Sequence, residues 1–397
     1  MTLMAPYVAR AGDLIPPPGP ITATHRTPIS DASTPGNASS LFRITQPGSY
    51  YLRAGITGVA AKNGIQILSG NVTLDLMGFE LNGVVGSGSL DGINTVAALT
   101  SVHIHNGVVR GWGSRGINLV LVSNSQLKEL RVDENGGVGI YVGSGSAITN
   151  CTAQSNGSDG IATGVGCTIT GCTAQGNAAD GIDDGGESTV TGCAANTNGE
   201  EGIEVGAGTS VTSCSSYNNM GDGIRTPTGV TGAGCTINNC TSRFNRINGI
   251  RAEGGSSVIG CNATANDVDG ILVANSTVRA CTVSYNDGDG IQASSNCMLI
   301  DNHCVGNGNG AGDGAGIHTT SSDNHIEGNT AIDNDRGIDV DTGGNLIIRN
   351  TAAGNTGAGA FPLPDFDLTG TNSVGQILDA TAGGDITSSI AWRNIVY

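Results

Sequence analysis

Apolar residues in this chain do not recur at helical spacing. They come in short β-branched runs cut by Gly, Asn, Asp and Ser, the pattern of short strands between turns. The runs themselves recur. Gly-Ile stands at Gly139-Ile140, Gly160-Ile161, Gly181-Ile182, Gly202-Ile203 and Gly223-Ile224, 21 residues apart each time. With a few insertions it continues from Gly249-Ile250 to Gly337-Ile338, and weaker copies precede it at Gly64-Ile65, Gly92-Ile93 and Gly116-Ile117. A period in this range predicts a solenoid, in which each repeat buries its apolar side only by stacking on its neighbours. The expected fold is an all-β parallel β-helix of about 12 to 13 turns over residues 41–358. Residues 1–40 are read as an N-terminal extension and 359–397, where the repeat fades, as a C-terminal cap with Trp392 packed on the last turn.

Stacked turns lie about 4.8 Å apart, so repeated residues form columns. One column runs from Cys151 through Cys172, Cys193, Cys214, Cys240, Cys261 and Cys281 to Cys304, then Asn329 and Asn350. Its regularity points to free, buried thiols acting as small hydrophobes rather than to disulfides. Cys167, Cys235 and Cys297 mark a sparser second inward position. An asparagine column follows the cysteines, from Asn135 to Asn286, Asn309, Asn334 and Asn355. Asn tolerates left-handed backbone and can stack its amides, so these residues are expected to shape corners.

A third column, immediately before Gly-Ile, is acidic: Asp159, Asp180, Glu201, Asp222, Asn248, Asp269 and Asp289. Carboxylates one turn apart repel by about 1 to 3.5 kcal/mol per pair at effective dielectrics of 80 to 20. Splaying into water would soften that, and Ca²⁺ held by Asp180, Glu201 and Asp222 would reverse it. No dedicated calcium motif is present. The alternative is ordinary Asp-Gly turn chemistry.

Composition adds three limits. Aromatics are only 4% of the chain, few for a protein that stacks on neutral sugars. The net charge of −17 argues against nucleic acid and anionic membranes as partners. No apolar run approaches the roughly 18 residues of a membrane span. Ala9-Arg10-Ala11 before Gly12 looks like the tail of a secretory signal, so a secreted or cell-surface location is expected, as a monomer or homotrimer.

The run Gly-Asn-Thr-Ala-Ile-Asp-Asn-Asp-Arg-Gly-Ile-Asp-Val at 328–340, with Gly-Asn-Leu-Ile-Ile-Arg-Asn-Thr at 344–351, resembles the right-handed parallel β-helix repeat of the pectin-lyase-like superfamily. The resemblance covers about residues 60–358. It implies a right-handed coil and a polysaccharide or cell-envelope glycan as partner. It leaves the activity open, since the superfamily holds lyases, hydrolases, epimerases and non-catalytic surface proteins. The polygalacturonase-like set of Asn-Thr-Asp, paired Asp and Gly-His-Gly does not carry over. Asp183-Asp184 is a paired Asp, but the next histidine is His303.

If each Gly-Ile isoleucine faces inward, the next residue faces out. That row reads Asn118, Tyr141, Ala162, Asp183, Glu204, Arg225, Arg251, Leu272, Gln292, His318, Asp339, and it is the least uniform column of the repeat. Its centre, Asp183, Glu204, Arg225 and Arg251, is the first catalytic candidate. Carboxylates on adjacent turns fall near the spacing of a retaining glycosidase, and one turn further near that of an inverting one. An arginine could instead grip a uronate. His318 is the second centre, a potential acid or base. Tyr141, Asp184, Gln292 and Asp339 are candidate substrate contacts. Tyr217 and Tyr285 are read as sharing one column, with Phe244 one residue later. Two functions stand side by side: a non-catalytic scaffold or glycan binder, and a lyase or hydrolase acting on an acidic polysaccharide.

Overall fold

The computed structural model describes residues 26–84, 88–229, 232–308, 314–356, 365–379 and 391–397; the expected signal remnant and Asn309 lie outside them. The chain winds into a parallel β-helix with three strands per turn. The Gly-Ile strands form one 15-stranded parallel sheet, the first wall. The other two strands of each turn, such as Thr168–Thr170 and Thr173–Gln175, belong to one continuous 30-stranded sheet and supply the second and third walls. Register is kept turn to turn: Ile161 sits opposite Ile182, Thr168 opposite Thr189, and Thr173 opposite Ala194. The inward column from Ile65 to Ile338 is completely buried.

The coil is longer than the Gly-Ile count suggests. Ser40–Ile44 adds a turn in front, with Phe42 opposite Ile65, and Phe366–Leu368 adds one behind, with Phe366 opposite Ile338. Phenylalanine replaces Gly-Ile in both, which hides them from a motif search. Ser373–Val374 and Asn394–Val396 stack on the last turn as further strands. Trp392 lies on that turn through Arg349, whose guanidinium stands 4.3 Å from its ring, and it stays 53% exposed.

The corners are held by ladders of side chains. In the asparagine column, Asn156 Nδ2 donates to Asn177 Oδ1 at 3.0 Å and to the Val132 carbonyl at 3.1 Å. The same Oδ1 accepts the Asn156 backbone N–H. The residue before each member takes positive φ, as at Ser155, Gly176 and Thr197, which turns the chain. At the turn where Asn309 was expected, the rung is Asn307.

The cysteine column does the same job at the next corner. Cys172 Sγ donates to the Thr170 carbonyl at 3.4 Å, and Cys193 N–H donates to Cys214 Sγ at 3.4 Å. The column continues from Cys281 to Asn302, then Asn329 and Asn350, so Cys304 is not its member. Cys304 instead pairs with Val283 on the third wall and is fully buried. A third ladder mixes Ser125, Ser146, Cys167, Ser188 and Thr209 and ends in Asn324, Asn345 and Asn372. All eleven cysteines are free and buried.

Candidate functional site

The acidic column does not splay into water. Its aspartates turn under the corner and accept a backbone N–H from the next turn, Glu201 N–H to Asp180, Asn248 N–H to Asp222 and Asp289 N–H to Asp269, while Glu201 takes Arg225. Asp180 is 6% exposed and Asp222 2%. Burial, with Glu201 and Glu204 adding to it, pushes the Asp180 carboxyl up to about 8. Burial likewise raises Asp222, and raises Asp269 to about 6. Protonation therefore relieves part of the repulsion that the sequence assigned to solvent or calcium.

The outward row is continuous. Asp183 sits opposite Glu204, Glu204 opposite Arg225, Arg225 opposite Arg251, Gln292 opposite His318, and His318 opposite Asp339. Row and acidic column interlock. Arg225 reaches back a turn to Glu201 by a short ion pair and lies 3.9 Å from Glu204. Arg251 holds Glu253 through Nε and a terminal nitrogen at 3.0 and 2.9 Å. Glu253 in turn lines a pocket of about 400 Å³ with Gly229, Gly254, Ala274 and Asn275. Asp183 is half-buried, and burial together with Asp159 and Glu204 pushes it up to about 6. Glu204 is raised too, chiefly by burial.

Asp184 cannot be a substrate contact. It follows Asp183 on the strand, so it faces inward; it is 2% exposed and accepts hydrogen bonds from Thr163, Thr209 and the Gly186 N–H. Tyr141 stays on the row, with the Arg115 guanidinium 5.4 Å from its ring.

His318 is clamped between two carboxylates. Nδ1 lies 2.8 Å from Asp289 and Nε2 3.2 Å from Asp341. Burial opposes its charge, but Asp289 and Asp341 outweigh burial and raise it to about 9. Gln292 also donates to Asp289, and buried Asp339 takes Arg336 at 2.5 Å. Asp289 is the last member of the acidic column and Asp341 is near His318 in sequence, but neither pattern shows that both would clamp the imidazole.

Two sets of ligand atoms lie within 4.8 Å of one another: those of Asp180, Glu200 and Glu201, and those of His318, Asp339 and Asp341. The first set shares Asp180 and Glu201 with the calcium trio and adds Glu200, while one Asp222 oxygen accepts from the Asn248 N–H and amide.

The family model described as "Right handed beta helix region" matches residues 56–189, 91–231 and 228–363, so the chain belongs to that family. The hand and the pectin-lyase-like fold are as the repeat implied. No curated protein matches the chain. Among solved structures, the mannuronan C-5 epimerase AlgE6 A-module of Azotobacter vinelandii is similar at 11% identity, covering 83% of this chain and 90% of that one, with TM-score 0.49. The periplasmic alginate epimerase AlgG is similar at 12% identity over 87% of this chain and 81% of its own, TM-score 0.43. The catalytic domain of a GH87 α-1,3-glucanase shares 13% identity over 76% and 63%, TM-score 0.45.

Proposed function

We propose that this protein is an extracellular or cell-surface β-helix that binds polysaccharide along its Gly-Ile face without turning it over. The observation that carries this reading is the state of the two row arginines. Arg225 is taken by Glu201 and Arg251 by Glu253. Both charges are thereby matched within the protein, whereas a lyase-type site would need one of them free to grip a substrate uronate or to abstract a proton. What remains along the row is a series of polar and charged groups that differ from turn to turn, suited to successive sugar units. Calcium enters this reading only as a neutralising ion at Asp180, Glu200 and Glu201, whose oxygens could hold it.

One observation favours a second reading, glycoside hydrolysis. Asp183 and Glu204 are neighbours on adjacent turns, and Asp183 is raised to about 6, into the range of a general acid.

The test is to incubate the protein with pectate, alginate and neutral glycans, with and without Ca²⁺. Ultraviolet absorbance and reducing ends are followed while binding is read by retardation in glycan-containing gels. Retardation without product is expected. Product that disappears in Glu204→Gln would overturn the non-catalytic reading in favour of the hydrolase.

A further inference from the structure

Charge is segregated along the coil. Residues 159–222 hold nine Asp and Glu and no Lys or Arg, whereas residues 225–279 hold five Arg against three acids. Four of those five arginines have a carboxylate partner: Arg225 with Glu201, Arg246 with Asp267, Arg251 with Glu253, and Arg279 with Asp301 at 4.0 Å. Arg243 differs. Among the described residues no carboxylate pairs with it; its guanidinium lies instead 5.9 Å from the Tyr217 ring centre and 4.9 Å from that of Phe244. The two rings meet edge to face at 5.6 Å.

These groups stand on the corner after the third wall, away from the Gly-Ile row. Register corrects the aromatic columns: Tyr217 pairs with Arg243, while Phe244 and Tyr285 are the residues that precede the asparagine rungs. At this column φ is positive, +57° at Phe244 and +55° at Tyr285, a conformation that bulky side chains disfavour. Other turns place Gly176, Gly306 or Gly354 there. In a chain with so few aromatics, two are set at this costly position and left open, Phe244 at 41% and Tyr285 at 65% exposed, with Tyr217 beside Phe244 at 43%. Tyr285 lies over Gly306 of the next turn, where a Cβ would come within 2.7 Å of its ring. Phe244 and Tyr285 are two turns apart, about 10 Å along the axis.

We propose that this edge is a second binding track, for a uronate-bearing polysaccharide lying along the coil axis. Phe244 and Tyr285 stack on sugar faces, and Arg243, held upright by the two rings, takes a sugar carboxylate through its planar fork. The charge is complementary only here: the acidic band would repel the same chain, so the ligand is confined to the arginine band. The track rests on the glycan-binding reading for the class of its ligand, but not on the Gly-Ile row.

The test is binding of the full chain to polygalacturonate, dextran sulfate and neutral dextran by titration calorimetry, with thermal unfolding as the control for fold. Arg243→Gln is expected to weaken polygalacturonate binding at least tenfold. Tyr285→Ala should weaken it severalfold, and Arg243→Lys should rescue only part, since an ammonium keeps the charge but not the fork. Both residues are exposed, so the midpoint of unfolding should hold. Binding that persists in these variants but is lost in Glu204→Gln overturns the edge and leaves the row reading standing. Absence of binding by the unaltered protein overturns both. Equal affinity for dextran sulfate overturns the uronate assignment. An Arg243→Gln variant that changes oligomeric state in light scattering overturns the glycan as occupant, in favour of a second copy of the chain.

Discussion

Replacing Asn198 by Ala removes one rung of the asparagine ladder, and the cost can be worked out bond by bond. Asn198 Nδ2 donates to Asn219 Oδ1 at 2.9 Å and to the Ala174 carbonyl at 3.3 Å. Its Oδ1 accepts the Asn177 backbone N–H at 3.1 Å and the Asn177 amide at 3.0 Å. Four hydrogen bonds therefore go at once, each contributing about 0.5–1.5 kcal/mol net. The Asn177 amide keeps the Ala153 carbonyl, but the Asn177 N–H keeps no side-chain acceptor. Asn198 is wholly buried, so water does not replace what is lost without opening the corner. An orphaned buried donor falls at the upper end of the range, and the total is about 3–5 kcal/mol. Asn198→Asp should cost at least as much, because it keeps the acceptor but buries a charge. The assay is guanidinium unfolding with hydrogen exchange, which locates the loss in a repeat protein whose turns need not unfold together. Exchange should quicken in the turns containing Asn177 and Asn219 and stay unchanged several turns away. A loss below about 1 kcal/mol, or a uniform rise in exchange, would refute the claim that the ladder holds the corner locally.

Three further outcomes follow from the same structure. Cys281→Asn lies next to Asn302, which already fills the position, so the variant should extend the amide ladder with the unfolding midpoint unchanged or raised; a large drop would mean the thiol column is needed for its packing alone. Stability should fall as pH rises: Asp180, raised to about 8, loses its contribution between pH 4 and 8, and His318, raised to about 9, loses its own between pH 6.5 and 9. Unfolding midpoints of Asp180→Asn and His318→Gln should each flatten in the corresponding window, and a wild-type profile that rises toward pH 8 contradicts both. Millimolar Ca²⁺ should raise the midpoint at pH 8 in the wild type and not in Asp180→Asn; equal shifts in the two would dissociate the ion from Asp180, Glu200 and Glu201.

The first wall could be read from the sequence because its signal is a steric requirement. A Cβ on Gly139 would come within 2.6 Å of the Asn156 amide and 2.7 Å of the Gly160 carbonyl, and the same clash recurs at Gly160 and Gly181. Glycine is thus needed at each turn where the asparagine ladder passes, and its spacing reports the coil directly. Positions with looser requirements were harder to read. The third ladder is filled by Ser, Cys, Thr or Asn alike, because a hydroxyl, a thiol or an amide can each accept the neighbouring N–H. Cys304 was misassigned because Asn302 to Asn329 spans 27 residues, and the extra length falls after Asn307, not before it. Asp184 was offered as a surface contact because an acid beside an acid suggests chemistry, whereas strand alternation sends it inward to cap Thr163 and Thr209.

In a coil built this way, position separates structure from function. Columns that must pass hydrogen bonds from turn to turn hold small groups able to accept the neighbouring N–H, whether hydroxyl, thiol, amide or carboxylate, and a change to a residue without such an acceptor should cost stability. The outward row and the corner carrying Arg243, Phe244 and Tyr285 pass no such ladder of side chains, and there acidic, basic, aromatic and small residues replace one another from turn to turn. Each turn contacts chiefly its neighbours, so the acidic band at 159–222 and the arginine band at 225–279 are coupled only where they meet, through Arg225 with Glu201 and Glu204. A substitution that weakens glycan binding with unchanged unfolding belongs to a varying column; one that alters both belongs to a ladder. That difference separates Glu204→Gln and Arg243→Gln from Asn198→Ala.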